Sequence, residues 1–192
     1  MTFREALVSG SGTPTWSIPL ATHQRTDIPN LTMEPALVLA GPRKQAEVRF
    51  HKYRQRRPPT AGYNCFGHAF ALRRTAIYDL DRTLLDTILD DDGYAEVADP
   101  DIEVGDIVMY FDDRGEPFHA GEVIRREPLL IGLSSAIAST VPIVLSKLDD
   151  ISGEYEHKID EALWPDLVES RKVYRARQRV PRRKWRDIVA GP

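Results

Sequence analysis

The chain has 192 residues, of which 42% are hydrophobic and 29% are charged, and its formal net charge is −3. This is the composition of a water-soluble globular protein, long enough for one domain with its own core. The single cysteine excludes an internal disulfide framework. No apolar run approaches the length that crosses a bilayer, and the first residues do not resemble a secretion signal. We therefore predict a cytoplasmic protein with no membrane contact, and leave signal-less secretion or injection open.

Residues 1–60 are rich in proline and in loop signals. Short strands are predicted at 37–40 and 48–50, and residues 54–59 have the pattern of a basic connector stiffened by proline. These features predict two regions. Residues 1–60 form an N-terminal extension that lies on the domain or is partly mobile, and residues 61–192 form the domain itself with a basic C-terminal tail.

The pattern becomes helical at Asn64, a residue type that favours the N-cap position, and apolar residues follow at helical spacing as far as Leu80. A second helix is predicted over residues 81–90. Turn and strand signals then predict a hairpin loop at 112–115, a helical turn at 161–167, and strands at 106–111, 118–124, 129–133, 141–146 and 172–180. A helix followed by antiparallel strands is an α+β order.

Charge is distributed unevenly. Residues 79–106 contain eleven acids and one base, whereas residues 171–186 contain nine bases and no acid. The basic block is a candidate for binding an acidic surface, either on a partner protein or on the chain's own residues 79–106. An exposed strand with a solvated tail is the simpler interpretation. Nucleic-acid binding is disfavoured because no nucleic-acid module accompanies the block.

Two residues carry the candidate chemistry. Cys65 falls at the first position of the predicted helix, where unpaired backbone N–H groups favour a thiolate, so it is a candidate nucleophile. Its alternative role is that of a small buried residue. His119 begins a predicted strand, and its small neighbours leave room for a substrate, so it is a candidate base. Its alternative role is that of a half-exposed strand histidine.

Three motifs occur in order: Tyr-Asn-Cys at 63–65, Gly-Asp-Ile-Val at 105–108 and His-Ala-Gly-Glu-Val at 119–123. Together they resemble the NlpC and CHAP branches of the papain-like cysteine hydrolases, over about residues 63–146. Ser-Lys-Leu at 146–148 and the later His157 are similar to a bacterial subgroup of these proteins, although Asp149 stands where that subgroup has glycine. The resemblance implies a papain-like α+β fold, with a core helix packed on an antiparallel sheet behind the proline-rich extension.

The resemblance also implies roles for the residues. Cys65 would attack a carbonyl carbon, and His119 would accept the thiol proton and later protonate the leaving group. The backbone N–H of Cys65 and a nearby donor would bind the oxyanion. A third residue would orient His119, and it would be either His157 or Ser146. We prefer His157, because an imidazole can hold the required tautomer better than a hydroxyl.

The implied reaction is acyl transfer from an amide through a thioester, as in a peptidase, amidase or deamidase acting on a peptide or protein, including a toxin or a defence effector. The alternative is a non-catalytic protein-interaction module that keeps the fold. No metal is expected, because the histidines lack a paired zinc-ligand spacing. No cofactor is expected either, because the chain has no phosphate-binding glycine motif.

Overall fold

The structure, a computed structural model, describes residues 15–33, 53–130, 137–148, 150–161 and 165–176. Its α-helices are α1 (Cys65–Phe70) and α2 (Arg82–Asp91), and single 3₁₀ turns span Asp99–Asp101 and Pro165–Leu167. The strands are β1 (Thr15–Trp16), β2 (Asn30–Met33), β3 (Arg54–Arg57), β4 (Ala76–Ile77), β5 (Tyr94–Val97), β6 (Ile107–Phe111), β7 (Pro117–Leu130), β8 (Ile137–Lys147), β9 (Glu154–Lys158) and β10 (Ser170–Ala176).

The strands form two antiparallel sheets. The smaller sheet has the order β1-β2-β4, and the larger, seven-stranded sheet has the order β3-β9-β8-β7-β6-β10-β5. The long strands β7 and β8 form the middle of the larger sheet, where Glu122 lies opposite Leu145. Within the part of the chain that the structure describes, β3 and β5 are its two edges.

The predicted papain-like α+β fold is wrong. The structure is mostly β-sheet, and its described residues contain two α-helices beside a seven-stranded antiparallel sheet. The helix expected to continue toward Leu80 ends at Phe70, because Leu72 and Arg73 adopt φ angles of 50° and 66°. A right-handed helix cannot include such residues, and the chain enters β4 instead.

Several predicted elements are confirmed. Helix α2 begins where expected, because the Asp81 side chain caps it by accepting a 2.8 Å hydrogen bond from the Leu84 N–H. Strands β6, β7, β8 and β10 occur at predicted positions, although β7 runs on through residues predicted as a separate strand. Strands β1 to β5 and β9 were not predicted. The strands predicted at 37–40 and 48–50 lie outside the described residues.

The described part of the N-terminal region packs on the domain. Ile28 is buried in the same core as the two helices, and the hydroxyls of Thr22 and Thr26 donate hydrogen bonds of 2.6 and 2.8 Å to the Asp91 carboxylate. Residues 15–33 are therefore fastened to the end of α2. No helix among the described residues is long and apolar enough to cross a membrane.

The larger sheet buries a different core on each face. The core on the face that carries α1 and α2, here called the helix-side core, includes Cys65, Leu85, Met109 and Ala120. The core on the opposite face, here called the far-side core, includes Val108, Tyr110, Val123, Val144, Ile159 and Val173. Successive side chains of a strand point to opposite faces, so neighbouring residues of β6 and β7 belong to different cores. This alternation decides where each candidate residue lies.

Candidate functional site

One side chain fixes the start of α1. Asn64 accepts hydrogen bonds from the Gly67 N–H (2.9 Å) and the Ile77 N–H (3.1 Å), and its amide group donates to the Ile77 carbonyl (2.7 Å). The same amide therefore caps the helix and ties it to β4. Cys65 is the first residue of α1, as the sequence predicts.

The Cys65 thiol is enclosed. Its sulfur accepts hydrogen bonds from the backbone N–H groups of Ala120 and Phe66, and the residue is 7% exposed. Burial raises the pKa of the Cys65 thiol to about 12. The charge of Asp150 adds to this rise, whereas the two N–H groups and Lys147 lower the pKa. In this conformation the thiol is protonated at neutral pH.

His119 lies on the other face of the sheet. It is paired with Tyr110 across β6 and β7, and the two ring centroids are 5.7 Å apart. Tyr110 belongs to the far-side core, whereas Ala120, the next residue of β7, belongs to the helix-side core with Cys65. By strand alternation the His119 ring lies on the far side. The structure therefore does not bring the His119 ring onto the face that holds the Cys65 thiol.

The His119 imidazole is neutral. Burial lowers its pKa to about 3, and the neighbouring His157 and His68 add to the shift. A register irregularity between Tyr110 and Phe111 leaves Phe118 without an opposite residue, so β7 has a bulge directly before His119. A bulge re-aims the side chains beside it, and a one-residue slip would turn His119 toward the helix side.

Ser146 and His157 form a buried pair in the far-side layer. His157 Nδ1 lies 2.8 Å from the Lys158 carbonyl and must donate to it, so Nε2 accepts from the Ser146 hydroxyl at 2.7 Å. Burial lowers the pKa of His157 to about 4. The Tyr110 ring lies 6.2 Å from the His157 ring as well as 5.7 Å from that of His119. Among the described residues, no hydrogen bond joins His119 to either candidate orienting residue.

A charged cluster beneath α1 was missed by sequence reasoning. The fully buried Glu154 carboxylate accepts hydrogen bonds from Tyr63 Oη (2.8 Å), His68 Nδ1 (3.1 Å) and Arg73 Nε (2.5 Å). Burial raises the Glu154 pKa, but the bonds from His68, Arg73 and Tyr63 outweigh it and lower the pKa to about 2. Lys147 is also buried and donates to the Ser152 carbonyl at 2.8 Å. Glu154 is 81 to 91 residues away from its three partners in the sequence, so no local pattern signals their contact.

Tyr78 was missed as well. It follows β4, is 9% exposed, and its hydroxyl has no hydrogen-bond partner among the described residues. Burial raises the pKa of Tyr78 above its usual range, and the charges of Asp150 and Cys65 add to the rise, so the phenol is within electrostatic range of the thiol. An aromatic residue in a short apolar segment gives no sequence signal of such a position.

The basic block pairs with the chain's own acidic block where the structure describes it. Arg171 contacts Asp99 at 2.9 Å, and Arg175 contacts the buried Asp106 at 2.8 Å. Lys172 likewise contacts an acid of β5 at 2.9 Å. This is one of the two contacts that the sequence predicts for the block. Residues 177–186, its remainder, lie outside the described residues.

No group of three or more His, Cys, Asp or Glu side chains in the described ranges is arranged to hold a metal ion. No protein-family model matches the chain, and no curated protein or solved structure matches it. The sequence motifs and the geometry around Cys65 are therefore what indicates a function.

Proposed function

We propose that the chain is a thiol-dependent acyl-transfer enzyme that cleaves an amide bond of a peptide or protein, with Cys65 as its nucleophile. One observation carries this proposal. Two buried side-chain atoms of the described residues, Tyr78 Oη and His119 Nε2, have neither a hydrogen bond nor an ion pair. The Tyr78 hydroxyl is within electrostatic range of the Cys65 thiol. His119 directly precedes Ala120, whose N–H donates to that thiol, although the His119 ring lies on the opposite face of the sheet. Such atoms cost about 1–3 kcal/mol each, and folded proteins contain few of them. One such atom near the single cysteine, and another on the residue that precedes a hydrogen-bond donor to the thiol, favour a functional site.

The proposed reaction needs a conformation other than the one described. The Cys65 thiol must lose its proton, and the neutral His119 imidazole is the acceptor that we propose. Its ring would reach the thiol if the bulge at Phe118 shifted by one residue. The thiolate would then bond to the carbonyl carbon while the carbon–nitrogen bond breaks, and the amine would leave with the proton from His119. Water would cleave the thioester to the acid and the free thiol.

A small acyl donor tests this function. We expect p-nitrophenyl acetate to acetylate Cys65 in the wild-type chain, as located by peptide mass spectrometry, and to release nitrophenolate in a burst. Cys65→Ala and Cys65→Ser should abolish the burst, and His119→Ala should slow it. Glutathione at the same concentration gives the rate of an ordinary thiol. A Cys65 that is acetylated more slowly than glutathione at every pH would argue against an enzyme.

A second candidate is a non-catalytic protein-interaction module. The observation that favours it is the enclosed thiol, with its pKa raised to about 12 by burial. In such a module, iodoacetamide would label Cys65 only after the chain unfolds. An acidic protein partner would bind residues 177–186. We also propose that the protein works in the cytoplasm, where a lone thiol stays reduced; cell fractionation tests this.

A further inference from the structure

We infer that Tyr78 donates the side-chain hydrogen bond to the carbonyl oxygen of the acyl group carried on Cys65. The inference rests on the proposed acyl-transfer function and assigns one more residue to the same site. Three features carry it: the anchoring of Tyr78 to the start of α1, the free state of its hydroxyl within the described residues, and the chemistry that an acyl oxygen requires.

The position of Tyr78 is tied to that of Cys65. The Asn64 side chain bonds both the N–H and the C=O of Ile77, at 3.1 and 2.7 Å, and Tyr78 is the next residue. Asn64 also directly precedes Cys65 and caps its helix. A single amide group therefore fixes the backbone on both sides of the gap between thiol and phenol, which is the preorganisation that oxyanion binding requires.

The Tyr78 hydroxyl is free where those of comparable tyrosines are not. Tyr63 donates to the Glu154 carboxylate at 2.8 Å, and Tyr110 donates to the Ile159 carbonyl at 3.0 Å. Both are buried, as Tyr78 is. In the part of the chain that the structure describes, only the Tyr78 hydroxyl of these three has no acceptor. A substrate carbonyl oxygen beside the thiol would be the missing acceptor for the Tyr78 hydroxyl.

The chemistry suits a neutral donor. When the Cys65 thiolate bonds to the carbonyl carbon, the π pair of the carbonyl moves onto its oxygen. The Tyr78 O–H would hydrogen-bond to that oxyanion without giving up its proton. When the intermediate collapses, the C=O bond re-forms and the bond to the leaving group breaks. Because burial raises the pKa of Tyr78 above its usual range, the hydroxyl keeps its proton throughout the working pH range.

The test is Tyr78→Phe, which removes one oxygen atom and keeps the ring. Two reactions of Cys65 are compared: acetylation by p-nitrophenyl acetate, which develops an oxyanion, and alkylation by iodoacetamide, which displaces iodide and develops none. We expect acetylation to slow about a hundredfold, while alkylation and the urea midpoint stay as in the wild type. Tyr174→Phe, a buried tyrosine on β10, is the matched control and should leave both rates unchanged.

The outcomes separate the two proposals. Wild-type acetylation of Cys65 with an unchanged rate in Tyr78→Phe would overturn the role of Tyr78 and leave the acyl-transfer function standing. An equal loss of acetylation and alkylation would assign Tyr78 a purely structural role and would also overturn the inference. If wild-type Cys65 is not acetylated at all, both proposals fail together.

Discussion

The buried carboxylate of Glu154 ties α1 to strand β9 of the larger sheet. It is fully buried and accepts hydrogen bonds from side chains before, within and after that helix: Tyr63, His68 and Arg73. Glu154→Gln keeps the shape of the side chain and removes its charge. We expect this variant to lower the free energy of unfolding at neutral pH, because Arg73 loses its charged partner.

The size of the effect follows from the pKa. The Glu154 pKa falls from 4.5 to about 2 in the folded chain. At about 1.4 kcal/mol per pKa unit, this amounts to about 3 kcal/mol of stability. Because the folded pKa is the lower one, the unfolded chain binds more protons in the pH range between the two values. The contribution is therefore complete above the unfolded pKa of 4.5 and is lost as the pH falls toward 2.

Urea denaturation from about pH 7 to about pH 3 measures this effect. At pH 7 the free energy of unfolding of the wild type should exceed that of Glu154→Gln by about 3 kcal/mol. This difference should shrink steadily below about pH 4.5. Glu161→Gln is the matched control, because Glu161 is exposed and pairs with Lys158 at the surface. This variant should change the free energy of unfolding little at any pH. A difference between wild type and Glu154→Gln that stays constant down to pH 3 would refute the reasoning.

Two further predictions concern packing and charge, and both are measured by urea denaturation. Gly67→Ala should lower the free energy of unfolding by about 3 kcal/mol or more, because the new Cβ would overlap the Thr75 carbonyl. Gly115→Ala should lower it by only about 1 kcal/mol, because Gly115 has a φ of 79° but open space around it. Equal losses would mean that the backbone near Gly67 yields. Arg175→Met should cost about 2 kcal/mol or more, because it leaves the Asp106 carboxylate buried without a cation. Arg175→Lys should recover part of that loss, and no recovery would contradict the role of the charge.

Local sequence signals predict the elements that depend on them. The cap at Asp81 and apolar residues at helical spacing specify α2, and three of its apolar side chains are buried. The turn at 112–115 specifies the hairpin of β6 and β7. Cys65 falls at the helix start because Asn64 caps it, which is a local interaction. These predictions succeed because each depends on residues a few positions apart.

Strand β9 could not be predicted in this way. Its sequence is Glu-Tyr-Glu-His-Lys, which looks solvent-exposed, yet its first four residues are buried. Burial is possible because Glu154 meets Arg73, and Glu156 meets Arg56 and Arg125, all from distant parts of the chain. Periodicity within a segment carries no information about such partners.

The face on which His119 lies could not be predicted either. The motif and the strand are both present, but a single bulged residue decides which face of the sheet receives the ring. The sequence gives no signal for an irregularity of one residue. The predicted catalytic roles of Cys65, His119, Ser146 and His157 therefore stay predictions, and the acetylation experiment tests those of Cys65 and His119.

The order of strands in the larger sheet has a consequence for how the chain folds during synthesis. Edge strand β3 pairs with β9, and edge strand β5 pairs with β10. Neither edge strand can therefore pair until the last part of the described chain has been synthesised. Such non-local pairing gives a high contact order and slow folding. A nascent chain that has emerged from the ribosome only up to the end of β8 would expose unpaired strands, and such strands promote aggregation. Rapid completion of the C-terminal strands, or a chaperone that shields the unfinished sheet, would therefore govern the yield of native protein.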